Sequence, residues 1–179
     1  MLTSRKVYWI HENRGGALLE IRRSALIAHS AASTFDLIEA AEHYPAFLPW
    51  CAGAVILERD TSVVVARISI VYHSLRFDLT TRNPKRRPDW MAIHLERGPF
   101  RRFEGEWRVT SLAEEACKIE LAMRYEFNSA LIGKLAGKVF DGIADTLVDA
   151  FARRAEELDR SNEARQRELR PGHDFGETP

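Results

Sequence analysis

Hydrophobic and polar side chains alternate with a period of two over most of the middle of the chain. The clearest case is CKIELAMRYEF at residues 117–127, where every second side chain is apolar and most of the others are charged. This period places successive side chains on opposite faces of a strand. The pattern therefore predicts an antiparallel sheet with one buried face and one solvated face.

The segments on either side of this region carry different signals. Residues 17–27 are short and rich in branched side chains, which favours a first strand. The next apolar residues recur at helical spacing, with Ser30 or Ser33 as the N-cap and Pro45 at the end. Residues 128–158 carry two apolar columns at i, i+4 spacing, which predict one long amphipathic helix.

We predict six further strands in the period-two region, several of which are separated by turn residues. The turn signals are RDTS near residue 60, NPKRRPD at 83–89, RGP at 97–99 and SLAEEA at 111–116. With the first strand, the sequence predicts an α+β fold in which a curved antiparallel sheet of about seven strands wraps around the long C-terminal helix. We expect a leader at 1–16, one domain at 17–159 and a disordered polar tail at 160–179.

Composition argues against several classes of function. Lys and Arg number 26 and balance 26 Asp and Glu, so the neutral chain has no overall attraction to nucleic acid, and no DNA partner is expected. We expect a cytoplasmic protein, because there is no signal-peptide apolar run and no apolar segment of membrane-spanning length. Cys51 and Cys117 lack metal-ligand spacing and are predicted to be reduced structural thiols, and the histidine spacings predict no metal site.

Five stretches, in their order along the chain, carry a family resemblance. They are HYPAFLPWCAGAVILE, FDLTTRN, GPFRRFEGEWRV, EACKIELAMRYEF and GKVFDGIADTLVDAFARRAEEL. Together with the predicted element order, they resemble the START-like polyketide cyclase and lipid-transport superfamily from about residue 19 to 158. Within it, the sequence is most similar to the coenzyme Q-binding proteins and to the bacterial ribosome-association toxin. The resemblance implies a helix-grip fold with a largely apolar cavity between the sheet and the C-terminal helix.

The cavity implied by this resemblance gives the aromatic segment around residues 44–50 a role. Pro45 and Pro49 hold this segment in a turn, which in a helix-grip fold lies beside the cavity mouth. Two interpretations remain open, namely contact with a lipophilic ligand and ordinary closure of the core. The candidate ligand-binding residues are Tyr44, Phe47, Leu48, Trp50, Tyr72, Trp107, Met123, Tyr125 and Phe140.

Basic residues are clustered in spite of the neutral total. A surface formed by them is a candidate contact for ribosomal RNA or for anionic phospholipid headgroups, although charged turns are often simply solvated. The candidate residues are Arg82, Lys85, Arg86, Arg87, Arg97, Arg101 and Arg102.

Three functions follow from these residues and the resemblance. The first is a non-catalytic carrier of a hydrophobic ligand, such as ubiquinone or a related isoprenoid quinone, which supports respiratory electron transport in the cytoplasm or at the inner membrane surface. The second is a regulator that binds the large ribosomal subunit and inhibits subunit association. The third is a polyketide aromatase/cyclase, for which only His43 offers a weak acid or base candidate. No catalytic residue and no further cofactor are assigned.

Overall fold

The computed structural model describes residues 7–13, 16–72, 75–128, 142–143, 146–158 and 160–161. The strands are β1 (Val7–Asn13), β2 (Gly16–Ile27), β3 (Cys51–Arg59), β4 (Val63–Tyr72), β5 (Leu75–Arg86), β6 (Trp90–Arg97), β7 (Phe100–Ala113) and β8 (Ala116–Phe127). Between β2 and β3 lie helix α1 (Ala31–Glu39) and the 3₁₀ helix Ala41–Ala46. The C-terminal helix α2 comprises the helical residues at 142–143, 146–158 and 160–161.

All the strands join one antiparallel sheet in the order β1-β2-β8-β7-β6-β5-β4-β3. Strands β3 to β8 follow one another as hairpins, while β2 pairs with β8 from the other end of the chain. The predicted architecture of an antiparallel sheet with a C-terminal helix is therefore confirmed. The sheet begins earlier than residue 17, however, because β1 lies within the predicted leader and pairs along its length with β2.

Two of the predicted turns are shorter than expected. β5 continues through Arg86, so only Arg87–Asp89 form the turn within the predicted 83–89 segment. The strand continues past Pro84 because the Lys85 N–H donates to the Ser62 carbonyl at 2.7 Å. Likewise, β7 extends to Ala113. The predicted tail at 160–179 lies outside the described residues apart from 160–161.

Local capping explains where α1 begins and ends. Ser30 is the N-cap, and its hydroxyl accepts a hydrogen bond from the Ser33 N–H at 3.2 Å, which settles the choice between the two serines. The helix ends at Glu39, and the 3₁₀ helix that follows contains Pro45. The Leu48 N–H donates to the Tyr44 carbonyl at 2.8 Å, which closes the turn leading into β3.

The core lies between the inner face of the sheet, α1 and α2. On β8, exposed or half-buried side chains alternate with buried ones, as the period-two pattern predicts. From α2, Ile143, Leu147 and Phe151 project at i, i+4 and i+8 toward the sheet, and Phe151 is fully buried. Gly142 allows close approach, because a Cβ atom there would lie 3.0 Å from the Tyr72 hydroxyl.

Candidate functional site

A cavity of about 100 Å³ lies between the inner face of the sheet and α2. Its lining is mostly aliphatic and aromatic, with contributions from α1, the 3₁₀ helix, α2 and strands β4 to β8. Four predicted ligand-binding residues line it, namely Tyr44, Trp50, Trp107 and Met123.

The other predicted ligand-binding residues have different positions. Leu48 is 1% exposed and belongs to the core, and Tyr125 is fully buried and packs edge-on against Phe127 at 5.8 Å. Tyr72 is half-buried next to Gly142 and does not line the cavity. Phe140 lies outside the described residues.

An aromatic cluster fastens the 44–50 segment to α2. The ring of Phe151 lies 5.3 Å from Tyr44, 5.2 Å from Phe47 and 5.4 Å from Trp107, in edge-to-face arrangements. The Tyr44 hydroxyl donates to the Ile38 carbonyl, and burial raises the pKa of this hydroxyl above its ordinary value. Tyr44 is therefore a neutral structural donor, and the segment forms a closed wall of the cavity.

Two buried polar atoms of the cavity lining have no hydrogen-bond partner in the described part of the chain. They are the indole Nε1 of Trp50, which is 6% exposed, and the amide Oδ1 of Asn83, which is 8% exposed. Buried polar groups in folded proteins are normally paired, because an unpaired one costs about 1–3 kcal/mol. Each of these atoms is therefore a candidate contact for a bound molecule.

These two residues enter the cavity from different ends of the sheet. Asn83 pairs with Val64 on β4, whereas the Trp50 carbonyl accepts from the Val71 N–H. Seven residues of β4 correspond to about 23 Å between these two backbone levels. Thr81 and Glu39 belong to the same lining. Thr81 is two positions from Asn83 on the inner face of β5, so the Asn83 end is the more polar one.

Ion pairs join α1 and the 3₁₀ helix to the sheet next to this polar end. Lys85 pairs with Glu39, and their side chains are 5% and 14% exposed. Arg59 pairs with Glu42 at 2.7 Å, and Arg59 holds the pKa of the Glu42 carboxyl below its usual range. We call these two pairs, together with the Arg87–Asp36 pair described next, the α1 clamp.

The remaining pair of the α1 clamp is exposed and bidentate. Arg87 donates to both carboxylate oxygens of Asp36, at 2.6 and 2.8 Å, and this raises the pKa of the guanidinium. The clamp thus fixes the helical wall of the cavity to β3 and to the β5–β6 hairpin.

The structure separates the predicted basic surface into two clusters. Arg86 lies opposite Trp90 at the start of β6 and Arg97 lies at its end, while Arg82 of the first cluster lies opposite His94 between them. In the first cluster, Arg82 pairs with Glu58 and Glu96, both at 2.8 Å, and Lys85 and Arg87 belong to the α1 clamp. Only Arg86 is weakly paired there, at 3.8 Å from Asp89. Most of the positive charge of this cluster is therefore neutralised within the protein.

The second cluster keeps more of its charge available. Arg97, Arg101 and Arg102 are all exposed at the β6–β7 turn. Arg101 contacts Glu126 at 3.5 Å, and neither Arg97 nor Arg102 has an ion pair among the described residues. We call these three residues the Arg97 cluster. It is the part of the predicted basic surface that best suits an anionic partner.

His43, the acid or base candidate from the sequence, is exposed and does not line the cavity. Cys51 and Cys117 are buried and free, and burial raises the pKa of both thiols, which disfavours the reactive thiolate. Within the described ranges, no cluster of three or more His, Cys, Asp or Glu could hold a metal ion. No helix in those ranges is long and apolar enough to cross a membrane.

Three polar residues of the cavity lining, Glu39, Thr81 and Asn83, are absent from the predicted site. Pro84 favours a turn in the stretch that contains Asn83, although Phe77, Leu79, Thr81 and Asn83 share one face of β5 by their period of two. This period of two is the sequence signal that could have identified Asn83 as part of the strand. Glu39 is recognisable only from the three-dimensional contact with Lys85, which lies 46 residues away.

Known proteins with similar sequences include bacterial toxins and a coenzyme Q-binding protein. Ribosome association toxin RatA of Pseudomonas aeruginosa is 38% identical over 138 residues, which are 77% of this chain and 96% of that protein. Coenzyme Q-binding protein COQ10 homolog B, mitochondrial, of Xenopus laevis is 23% identical over 150 residues, covering 79% of this chain and 59% of that protein.

Solved structures share the fold at lower identity. The Zhui aromatase/cyclase from Streptomyces sp. R1128 has a TM-score of 0.69 at 15% identity, covering 78% of this chain and 94% of that one. A START superfamily protein from Mycobacterium smegmatis has a TM-score of 0.63 at 19% identity, with coverage of 78% and 98%. At these identities the likeness shows the fold alone.

The family model described as polyketide cyclase/dehydrase and lipid transport matches residues 27–152. This range extends from the end of β2 through the sheet to Phe151 and Ala152 of α2, so it includes nearly all the cavity-forming elements. The family match, the START-like neighbours and the curated relatives agree with the resemblance seen in the sequence. The chain therefore belongs to the polyketide cyclase/dehydrase and lipid transport family.

Proposed function

We propose that this protein binds the large ribosomal subunit and regulates subunit association. The observation that carries the proposal is the 38% identity to a ribosome association toxin across 96% of that protein's length. The coenzyme Q-binding relative is more distant, at 23% identity. This difference places the ribosomal hypothesis ahead of the quinone-carrier hypothesis, which was the first expectation from the sequence.

The Arg97 cluster is the surface that we assign to the ribosome. Three exposed guanidinium groups on one turn suit phosphate oxygens, which Arg contacts with charge-assisted and often bidentate hydrogen bonds. The first cluster is less suited, because Arg82, Lys85 and Arg87 already contact carboxylates within the protein.

Co-sedimentation with purified large subunits over a range of salt concentrations tests this proposal. Binding of the wild-type protein should weaken as salt increases, because contacts with phosphates release counterions. The variant Arg97→Glu/Arg101→Glu/Arg102→Glu should lose most of the binding. Arg86→Glu is the matched control, since it reverses a 74%-exposed guanidinium in the other cluster. Equal binding by the triple variant and the wild type would exclude the Arg97 cluster, and the absence of wild-type binding would exclude the ribosomal function.

A second function, the binding of an apolar ligand, is favoured by the cavity itself. Its lining combines a largely apolar surface with the unpaired atoms of Trp50 and Asn83. Ligand sites are typically apolar pockets with a few placed polar groups, but they measure about 300–1,000 Å³. At about 100 Å³, the cavity suits a molecule of ring size, and a long isoprenoid chain would require the wall formed by the 44–50 segment and α2 to open.

Mass spectrometry of organic extracts from the purified protein tests the second function. We expect a stoichiometric small molecule in the wild type and its loss in Ala66→Leu, because Ala66 lines the cavity and the larger side chain would fill it. Ala52→Leu is the control, since it adds the same side chain at an exposed position of β3. Retention of the molecule by both variants would place the ligand elsewhere.

A further inference from the structure

The polar lining of the cavity is rich in hydrogen-bond acceptors at one end. Asn83 has a buried oxygen without a donor among the described residues, and Glu39, whose carboxylate pairs with Lys85, belongs to the same lining. The hydroxyl of Thr81 can donate or accept. A molecule bound at this end has to bring a donor, because a second acceptor would leave the Asn83 oxygen unpaired.

The charge balance at this end favours a neutral donor over a cation. Glu39 is already paired with Lys85 and lies 3.5 Å from Arg59. An additional ammonium group would therefore approach two cations of the α1 clamp. A hydroxyl group donates a hydrogen bond without bringing a charge into this half-enclosed site.

The size of the cavity restricts the rest of the molecule. About 100 Å³ is less than the roughly 150 Å³ of an apolar cavity that holds benzene, so a single ring is the largest group that a small rearrangement of the lining would admit. Aromatic side chains of Trp107 and Phe151 lie in the same lining and offer faces and edges to such a ring.

We propose that the cavity selects a neutral, ring-sized apolar molecule with a phenol- or quinol-type hydroxyl, and that the side-chain oxygen of Asn83 accepts a hydrogen bond from this hydroxyl. The inference rests on the second proposed function, the binding of an apolar ligand. It narrows the ligand class, since a quinone headgroup offers only carbonyl acceptors and leaves the Asn83 oxygen unpaired. Asn83 is thus assigned as a specificity-determining residue.

Titration of the full-length protein with matched probes tests this assignment. The probes are 4-methylphenol, which donates and accepts, 4-methylanisole, which only accepts, and toluene, which does neither. Calorimetry and the fluorescence of Trp50 and Trp107 report binding, because both indoles line the cavity. We expect 4-methylphenol to bind at least about tenfold more tightly than 4-methylanisole, because leaving a buried acceptor unpaired is costly.

Two variants separate specificity from folding. Asn83→Leu keeps the branching and the number of side-chain heavy atoms and removes the unpaired oxygen, so the variant should fold and bind the phenol and the anisole equally. Asn83→Thr keeps an oxygen acceptor and should retain part of the preference. Thermal unfolding of each variant confirms that the fold is intact.

The other outcomes have distinct meanings. Equal binding of the phenol and the anisole by the wild type would overturn the role of Asn83 while leaving ligand binding in the cavity intact. A preference that persists in Asn83→Leu would also overturn the assignment. Binding of no probe, toluene included, would overturn both this inference and the second proposed function.

Discussion

The two hairpins at the ends of β6 have similar basic sequences but different surroundings. The β5–β6 hairpin uses Lys85 and Arg87 to hold Glu39 and Asp36 of α1. At the β6–β7 turn, Arg97 and Arg102 extend from the surface without an ion pair in the described part of the chain. The comparison shows that a run of basic residues acquires its role from acidic residues far away in sequence. One hairpin fixes the cavity wall, and the other remains available for a partner.

Removing Lys85 should have the largest effect on stability. Lys85→Met leaves the Glu39 carboxylate, which is 14% exposed, with only the longer Arg59 contact at 3.5 Å. We expect a loss of about 3 kcal/mol in the free energy of unfolding, because breaking a buried pair leaves an uncompensated charge. Urea denaturation measures this loss. The double variant Lys85→Met/Glu39→Leu should recover most of it, and failure to recover would show that packing of the Lys85 stem dominates.

Removing Arg87 should have a smaller effect. Its side chain and that of Asp36 are 52% and 54% exposed, so solvent weakens their attraction. The bidentate geometry still favours a coupling energy that is small but measurable and well below the effect of removing Lys85. A double-mutant cycle of Arg87→Ala with Asp36→Ala measures it. A coupling energy near zero would restrict the α1 clamp to Lys85 and Arg59.

Acid should release the Glu42 part of the α1 clamp. Arg59 lowers the folded-state pKa of Glu42 below the usual value of 4.5, so the stabilisation is complete above that value and is lost as pH falls through the folded pKa. Since the two side chains are 34–38% exposed, the effect should stay below about 1 kcal/mol. Urea midpoints of the wild type and Glu42→Gln should converge between pH 5 and pH 3.

A turn glutamate provides the control for the acid experiment. Glu114 is exposed in the β7–β8 turn, and Glu114→Gln should follow the wild-type curve throughout. A gap between the wild type and Glu42→Gln that stays constant on acidification would show that Arg59 does not stabilise the fold through the Glu42 charge.

Neutralising the Arg97 cluster should have the smallest effect on stability. Arg97→Gln and Arg102→Gln remove exposed side chains without ion pairs among the described residues, so unfolding free energies should change by less than about 0.5 kcal/mol. The same double variant should reduce the slope of log affinity for large subunits against log salt by about 1–2. A marked loss of stability would instead give these residues a structural role like that of Lys85.

Periodicity predicts the sheet better than it predicts the site. Alternation along β8 and the i, i+4 column of α2 were recognisable because burial directly sets those patterns. The edge strand β1 and the Asn83–Arg86 part of β5 were not predicted. Polar and glycine-rich neighbours indicate a leader where β1 lies, and Pro84 indicates a turn at the end of β5. Both segments are strands because β1 pairs with β2 and β5 pairs with β4.

The candidate site shows the same limit more strongly. Tyr44, Trp50, Trp107 and Met123 were selected as large apolar residues, and the structure places them in the lining. Asn83 was not selected, because its lack of a hydrogen-bond partner depends on every neighbouring element. Unmet hydrogen-bonding capacity is a property of the folded surroundings, so no local sequence pattern reports it.

The pairing of β2 with β8 also affects how the chain folds as it is made. Leu19 of β2 lies opposite Tyr125 of β8, so β2 can pair with β8 only after about 100 further residues have been translated. At about 5–20 residues per second, this interval is roughly 5–20 s. During it the edge of β2 that pairs with β8 has no partner, although its other edge can already pair with β1, and such distant pairings slow folding. Nascent chains should therefore require protection from aggregation until β8 has left the ribosome.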